Sequence, residues 1–271
     1  MLAWLVARQI MGRVCIDAKP NAPQKSLLSR LPRVANIAHR GASKRAAEHT
    51  LAAYELALAQ GADVLELDLR ATLDEVLLLA HDENLERTLG IPLTLSSTPW
   101  AEILARAGDR APLRLEQVLE RFEATQLNLE LKDDSPSAAR ALIDVLRTQH
   151  AEDRVLVASR HHHMLVEFRK LSQGRIATSA SMREVLTFKF CQLMGRSCPT
   201  AFEALQIPPL GWLGLTSPSF MSQAREHGVA VHFWTVDDPV RQRELIESGA
   251  DGIMTNEPET LARVIASQGP R

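Results

Sequence analysis

Val64-Leu65-Glu66-Leu67-Asp68-Leu69 alternates carboxylates with leucines at a period of two. On a β-strand, side chains two apart share a face, so Glu66 and Asp68 converge while Leu65, Leu67 and Leu69 point the other way. Strands covered on both faces are normally near-continuously hydrophobic. Two anions side by side on a covered strand are each costly to desolvate and repel one another, so the pattern calls for a positive charge between them.

The same signature recurs at Leu127-Asn128-Leu129-Glu130-Leu131-Lys132, which sets Asn128, Glu130 and Lys132 on one strand face. Working outward, short β-branched or apolar runs follow at 36–39, 64–69, 127–131, 155–159, 175–180, 204–207, 229–236 and 252–255. Amphipathic stretches separate them at 51–60, 115–122, 137–148, 164–171, 218–227, 240–248 and 258–266. Strand and helix alternating eight times predict an α/β fold, a (β/α)8 TIM barrel, with an open doubly wound sheet as the competitor. A chain of 271 residues accommodates one barrel of about 250.

Two places depart from the alternation. Val76–Ala80 reads as an extra short strand ending in His81-Asp82, and residues 85–100 as a polar, Pro-containing excursion. This insertion after the second strand falls on the side of a barrel where active sites are built. Residues 182–200 form an apolar, helix-like segment carrying Val185, Leu186, Phe188, Phe190, Leu193 and Met194.

Glu66, Asp68 and Glu130 at neighbouring strand ends make a hard oxygen site suited to Mg²⁺, Ca²⁺ or Mn²⁺. The alternative is neutralisation by Lys132 and an interior arginine, although one lysine does not balance three carboxylates. His39 ends the first strand and His81 the extra one, so a barrel sets both imidazoles at its mouth as candidate general base and acid. Arg40 offers a fixed cation for phosphate, and Gly41 lets the backbone turn there.

His39-Arg40, Glu66-x-Asp68 and His81-Asp82, in this order and spacing, resemble the HR, ExD and HD signature of glycerophosphodiester phosphodiesterases. The resemblance runs from about residue 37 to 258, through Gly61-Ala62-Asp63, Asn128 to Lys132, Trp234-Thr235-Val236 and Gly249 to Thr255. It implies acid-base catalysis by His39 and His81, a divalent cation on Glu66, Asp68 and Glu130, and phosphate held by Arg40 and Lys132. It further implies a small glycerophosphodiester substrate cleaved to an alcohol and sn-glycerol 3-phosphate, with Trp234 lining the pocket or serving as barrel packing. Departures from the family pattern are Ala47-Glu48-His49-Thr50 for PENT, Glu75 for a glycine, and Asn256 for the late Asp. His49 either alters contacts near the metal or merely begins a helix. Two rivals stand beside this reading: a lysophospholipase D-like activity on substrates keeping an acyl chain, and a catalytically silent phosphodiester-binding barrel.

With 45% hydrophobic and 24% charged residues the chain supports a packed core, and a net charge of −2 excludes the basic field that nucleic acid requires. Cys15, Cys191 and Cys198 are odd in number and lack CxxC spacing, which predicts reduced thiols and a cytoplasmic location. Met1–Ala7 is apolar, but Arg8 and Arg13 interrupt the run well short of the roughly 20 residues that span a bilayer. Neither a spanning helix nor a secretory signal is predicted. Residues 1–33 are read as an N-terminal extension to a barrel over 34–271, peripheral membrane contact being the alternative role. His161-His162-His163 is read as a solvated helix start rather than a metal tract.

Overall fold

The computed structural model describes residues 34–198 and 200–268, so the N-terminal extension and Cys15 lie outside the described residues. Eight parallel strands form a nearly closed barrel: β1 (Ala35–His39), β2 (Val64–Ala71), β4 (Gln126–Leu131), β5 (Val155–Ala158), β6 (Ala177–Thr178), β7 (Ala204–Ile207), β8 (Ala230–Phe233) and β9 (Gly252–Thr255). β3 (Leu77–Leu79) pairs antiparallel with the end of β2, as the extra strand of the insertion. β1 bonds to β9 on one side and β2 on the other, and the circle closes between β6 and β7 through a single bridge, Ser179 to Ala204. The TIM-barrel expectation holds, and the open doubly wound sheet is set aside.

Helices α1 (Leu51–Ala59), α4 (Leu115–Arg121), α5 (Pro136–Thr148), α6 (His162–Leu171), α7 (Met182–Leu193), α8 (Pro218–Glu226), α9 (Pro239–Ser248) and α10 (Pro258–Ser267) surround the sheet. Their starts are chemically specified. Thr50 accepts from the Ala53 N–H ahead of α1, Ser181 and Glu184 form a reciprocal capping box on α7, and Asp238 with Pro239 opens α9. The insertion contains α2 (Glu86–Leu89) and α3 (Trp100–Ala107). α3 is not among the predicted helices, although Trp100, Ile103, Leu104 and Ala107 recur at helical spacing and Ile103 and Ala107 are buried. The predicted runs at 175–180 and 229–236 shorten to β6 and β8, because their outer residues turn into loops once the barrel wall ends.

The leucines of the opening stretch behave as their alternation requires. Leu65, Leu67 and Leu69 join Leu127, Leu129 and Leu131 in the layer between sheet and helices, together with Val118, Leu142 and Phe168. Glu66 and Asp68, on the other face, are therefore directed into the barrel. Among the described residues no helix is long and apolar enough to cross a membrane.

Candidate active site

Parallel strands bring their C-terminal ends to one rim, and register fixes what meets there. His39 pairs with Glu66, Glu66 with Asn128, and Asp68 with Glu130. Glu66, Asp68 and Glu130 each place one oxygen within 4.8 Å of the other two. Glu66 and Asp68 are buried, and Glu130 is partly exposed. Burial and the charges of Asp68 and Glu130 push the Glu66 carboxyl well above its ordinary range. Burial works against the Asp68 anion too, but the His49 hydrogen bond and the charges of Lys132 and Arg40 hold its carboxyl far below the usual value. The Lys132 ammonium stands 2.9 Å from both Asp68 Oδ1 and Glu130 Oε2. Burial works against its charge, yet the two carboxylates hold it in the ammonium form.

This donor set fits a hard divalent cation. Asp68 Oδ1 is buried with the Lys132 ammonium 2.9 Å away, and Glu66 is an acid raised by burial and by the negative charge of Asp68 and Glu130. Three carboxylate oxygens at these spacings match the ligand chemistry of Mg²⁺, Ca²⁺ or Mn²⁺.

The turn leaving β1 is tightly constrained. Arg40 has φ +59° and Gly41 φ +82°. A Cβ on Gly41 would lie 2.7 Å from the Ala53 carbonyl carbon at the first turn of α1. Chain closure there aims the Arg40 N–H at Glu66 Oε2, 3.0 Å away. The Arg40 side chain sets Nε 2.9 Å from Asp68 Oδ2 and Nη1 3.5 Å from Glu48 Oε2.

His49 lies inside this network. Its Nε2 is 3.1 Å from Asp68 Oδ2 and its Nδ1 is 2.8 Å from the Tyr54 hydroxyl. Burial holds the ring's pKa below the ordinary imidazole value. A carboxylate only accepts, so Nε2 carries a hydrogen toward Asp68, and in the neutral ring Nδ1 accepts from the Tyr54 hydroxyl. Of the two readings left open for His49, the structure selects contact with the acid cluster.

The two candidate catalytic imidazoles are held differently. His39 Nδ1 stands 2.7 Å from Asn256 Oδ1, and burial lowers the ring's pKa. His81 Nδ1 is 2.7 Å from Asp82 Oδ1, while its carbonyl accepts from Arg70 Nε at 3.0 Å. Arg70 is itself fixed by Asp133 at 2.9 Å. Asp82 pairs onward with Arg87, which holds Glu48 at 2.6 Å. A polar string thus runs from His81 through Arg87 and Glu48 to Arg40. Beside His81 opens a cavity of about 500 Å³, bordered by His49, Leu85, Leu89 and Pro112.

Trp234 follows β8 on the same rim and is 41% exposed, so it is not wholly barrel packing. His161, which precedes α6, and His163, in its first turn, both face Asp134 on the loop after β4. Sequence reading did not pick out Asp237, Arg70 or Tyr54 as parts of the site, and noted Asn256 only as a departure from the family pattern. Arg70 and Asn256 carried one further signal, their position at or just past strand ends.

The sequence profile of the glycerophosphoryl diester phosphodiesterase family matches residues 39–260. The glycerophosphodiester phosphodiesterase of Caldanaerobacter subterraneus subsp. tengcongensis is 28% identical over 247 residues, spanning 86% of this chain and 98% of its own. A lysophospholipase D of Homo sapiens is 25% identical over 273 residues, spanning 86% and 85%. The fold is also that of an Oleispira antarctica phosphodiesterase solved in complex with its product sn-glycerol-3-phosphate, with a TM-score of 0.71 at 24% identity over 89% of this chain and 99% of that one.

Proposed function

The chain belongs to the glycerophosphoryl diester phosphodiesterase family, and from that premise we propose that it hydrolyses glycerophosphodiesters to an alcohol and sn-glycerol 3-phosphate by metal-dependent acid-base catalysis. The observation that carries the reading is the cluster of three carboxylates at the strand ends, beside strand-end histidines His39 and His81 whose Nδ1 atoms are both engaged.

Glu66, Asp68 and Glu130 hold the divalent cation, which when bound supplies Lewis acidity to a phosphate oxygen. His39 takes the proton of the attacking hydroxyl or water at Nε2 as its oxygen bonds to phosphorus; where a substrate hydroxyl attacks, water then opens the cyclic ester to sn-glycerol 3-phosphate. His81 gives a proton to the leaving alcohol as the other P–O bond breaks. The cavity beside His81 receives that alcohol. Arg40 and Lys132 offset charge on the transferring group, and Trp234 borders the substrate at the rim.

Glycerophosphocholine hydrolysis tests this directly. His39→Ala and His81→Ala should each lose about 10² to 10⁴ in kcat with the circular dichroism spectrum retained. EDTA should abolish turnover of the parent protein, and Mg²⁺, Ca²⁺ or Mn²⁺ should restore it. Near-normal activity in either variant rejects these roles, and no metal-dependent release at all leaves a phosphodiester-binding barrel.

One observation favours the lysophospholipid reading. Met182, Leu186, Phe190 and Leu193 recur at helical spacing on α7 and are all exposed, an apolar face suited to an acyl chain or a lipid surface. Faster turnover of lysophosphatidylcholine than of glycerophosphocholine selects that substrate class within the same chemistry.

A further inference from the structure

We propose that Asn256 is a positioning residue that fixes the tautomer and direction of the His39 ring, and that Asp237 in turn fixes the amide of Asn256. The inference rests on the reading of His39 as general base and adds the device that keeps it competent.

Asp237 is an acceptor only, and three donors hold its carboxylate: the Thr255 hydroxyl at 2.9 Å, the Asn256 N–H at 2.8 Å and the Asn256 Nδ2 at 2.9 Å. A primary amide has one donating and one accepting end. With Nδ2 committed to Asp237, Oδ1 is left to face His39 Nδ1 at 2.7 Å. A carbonyl oxygen donates nothing, so Nδ1 must carry the ring hydrogen and Nε2 keeps its lone pair. That is the form a base needs. The opposite amide orientation would set two N–H hydrogens against Nδ1 and move the ring hydrogen to Nε2, leaving no lone pair for the attacking hydroxyl.

The surroundings hold the arrangement closed. Ser43 Oγ lies 2.8 Å from Asn256 Oδ1, the Lys44 N–H donates to the Asn256 carbonyl at 3.3 Å, and Lys44 Nζ stands 3.6 Å from Asp237. These contacts tie the loop after β9 to the turn after β1, the turn that also carries Arg40. His81 has a carboxylate, Asp82, at the equivalent ring nitrogen. Asn256 accepts the same hydrogen bond without bringing a negative charge to the buried base.

The test combines ring spectroscopy with kinetics. In protein labelled with ¹⁵N-histidine, the neutral His39 ring, assigned against His39→Ala, should show hydrogen on Nδ1. Asn256→Leu, which offers no acceptor, should move it to Nε2 and lower kcat on glycerophosphocholine at least about tenfold. KM should change less than about twofold, because ground-state binding is untouched. The exchanged pair Asp237→Asn/Asn256→Asp keeps one donating amide against one carboxylate and an acceptor at His39 Nδ1, and should recover the Nδ1–H ring and most of kcat, a rescue that a purely structural role would not give. Asn256→Ala gives the same readouts should the leucine variant fail to fold. An unchanged His39 tautomer in the folded variant overturns the inference whatever the activity. A switched tautomer with undiminished kcat overturns the positioning role and the base assignment of His39 together. If the protein does not hydrolyse glycerophosphocholine at all, the proposed function fails while the tautomer result still decides the Asp237–Asn256–His39 arrangement.

Discussion

His49 ties the acid cluster to the chain's single tyrosine, Tyr54. Asp68 is buried, and its Oδ2 faces His49 Nε2 and Arg40 Nε while Oδ1 faces Lys132 Nζ. An outer partner of this kind orients a metal-binding carboxylate, and losing one typically weakens metal affinity about 10- to 100-fold. His49→Leu should therefore lower Mg²⁺ or Ca²⁺ affinity in calorimetric titration by that order, with the empty protein still folded. Tyr54→Phe should act in the same direction and more weakly, since it strands His49 Nδ1 without removing the bond to Asp68. Parent-like cation affinity in His49→Leu would show that the carboxylate is set by Arg40 and Lys132 alone. His49 drew notice in the sequence only as a departure from a pattern. Its contacts depend on φ +58° at His49, which brings the ring back beneath β2.

Strand β8 carries a different kind of histidine. His232 is buried, with Nδ1 3.5 Å from Gln206 and no partner for Nε2 among the described residues. Its fit against β9 is close, for a Cβ on Gly252 would stand 2.8 Å from His232 Cδ2. Burial lowers its pKa to about 4. In the unfolded chain the same ring titrates near 6.5. Between those values the unfolded state takes up a proton that the folded strand refuses, so stability is complete above about pH 6.5 and is lost as pH falls toward 4. The whole effect is of order 3 kcal/mol. His232→Asn, which does not titrate, should show a smaller fall in Tm between pH 7 and 4.5 than the parent protein. Equal falls would mean that the ring opens to water before it titrates. Strands and helices were legible as elements because each repeats a short-range pattern. α3 was not, although Trp100, Ile103, Leu104 and Ala107 recur at helical spacing, because its eight residues begin at the end of an irregular, Pro-containing excursion.

The shell of the barrel is built in two pieces. One apolar cluster joins residues from Ala38 to Ile176 around β1 to β5, and another joins Val34 and residues from Ala180 to Val264 around β7 to β9. They meet at the short strand β6, where closure consists of the Ser179 to Ala204 bridge with hydrogen bonds from Ala180 N to Ala204 O at 2.7 Å and Glu203 N to Thr178 O at 2.9 Å. Openings of lowest free energy fall where few cooperative contacts must break. Hydrogen exchange should accordingly find the Ala180 and Glu203 amides less protected than those of Leu67 and Leu129 in the β2–β4 wall. Equal protection on both sides would mean that the barrel opens only as a whole. The rim that carries the candidate site spans the two pieces, with His39, Glu66, Asp68 and Glu130 on the first and Asn256 with Asp237 on the second.

By itself the sequence determined the eightfold strand and helix order, the inward face of Glu66 and Asp68, and the stations of His39 and His81 at strand ends. All of these follow from periods of two and 3.6 residues and from chain order, which are properties of neighbours along the backbone. Only the tertiary structure decided that His49 reaches Asp68, that Asp237 turns the Asn256 amide toward His39, and that the ring closes at a two-residue strand. Those outcomes join residues far apart in the chain through single hydrogen bonds, whose direction depends on barrel register and on backbone turns that no periodicity encodes.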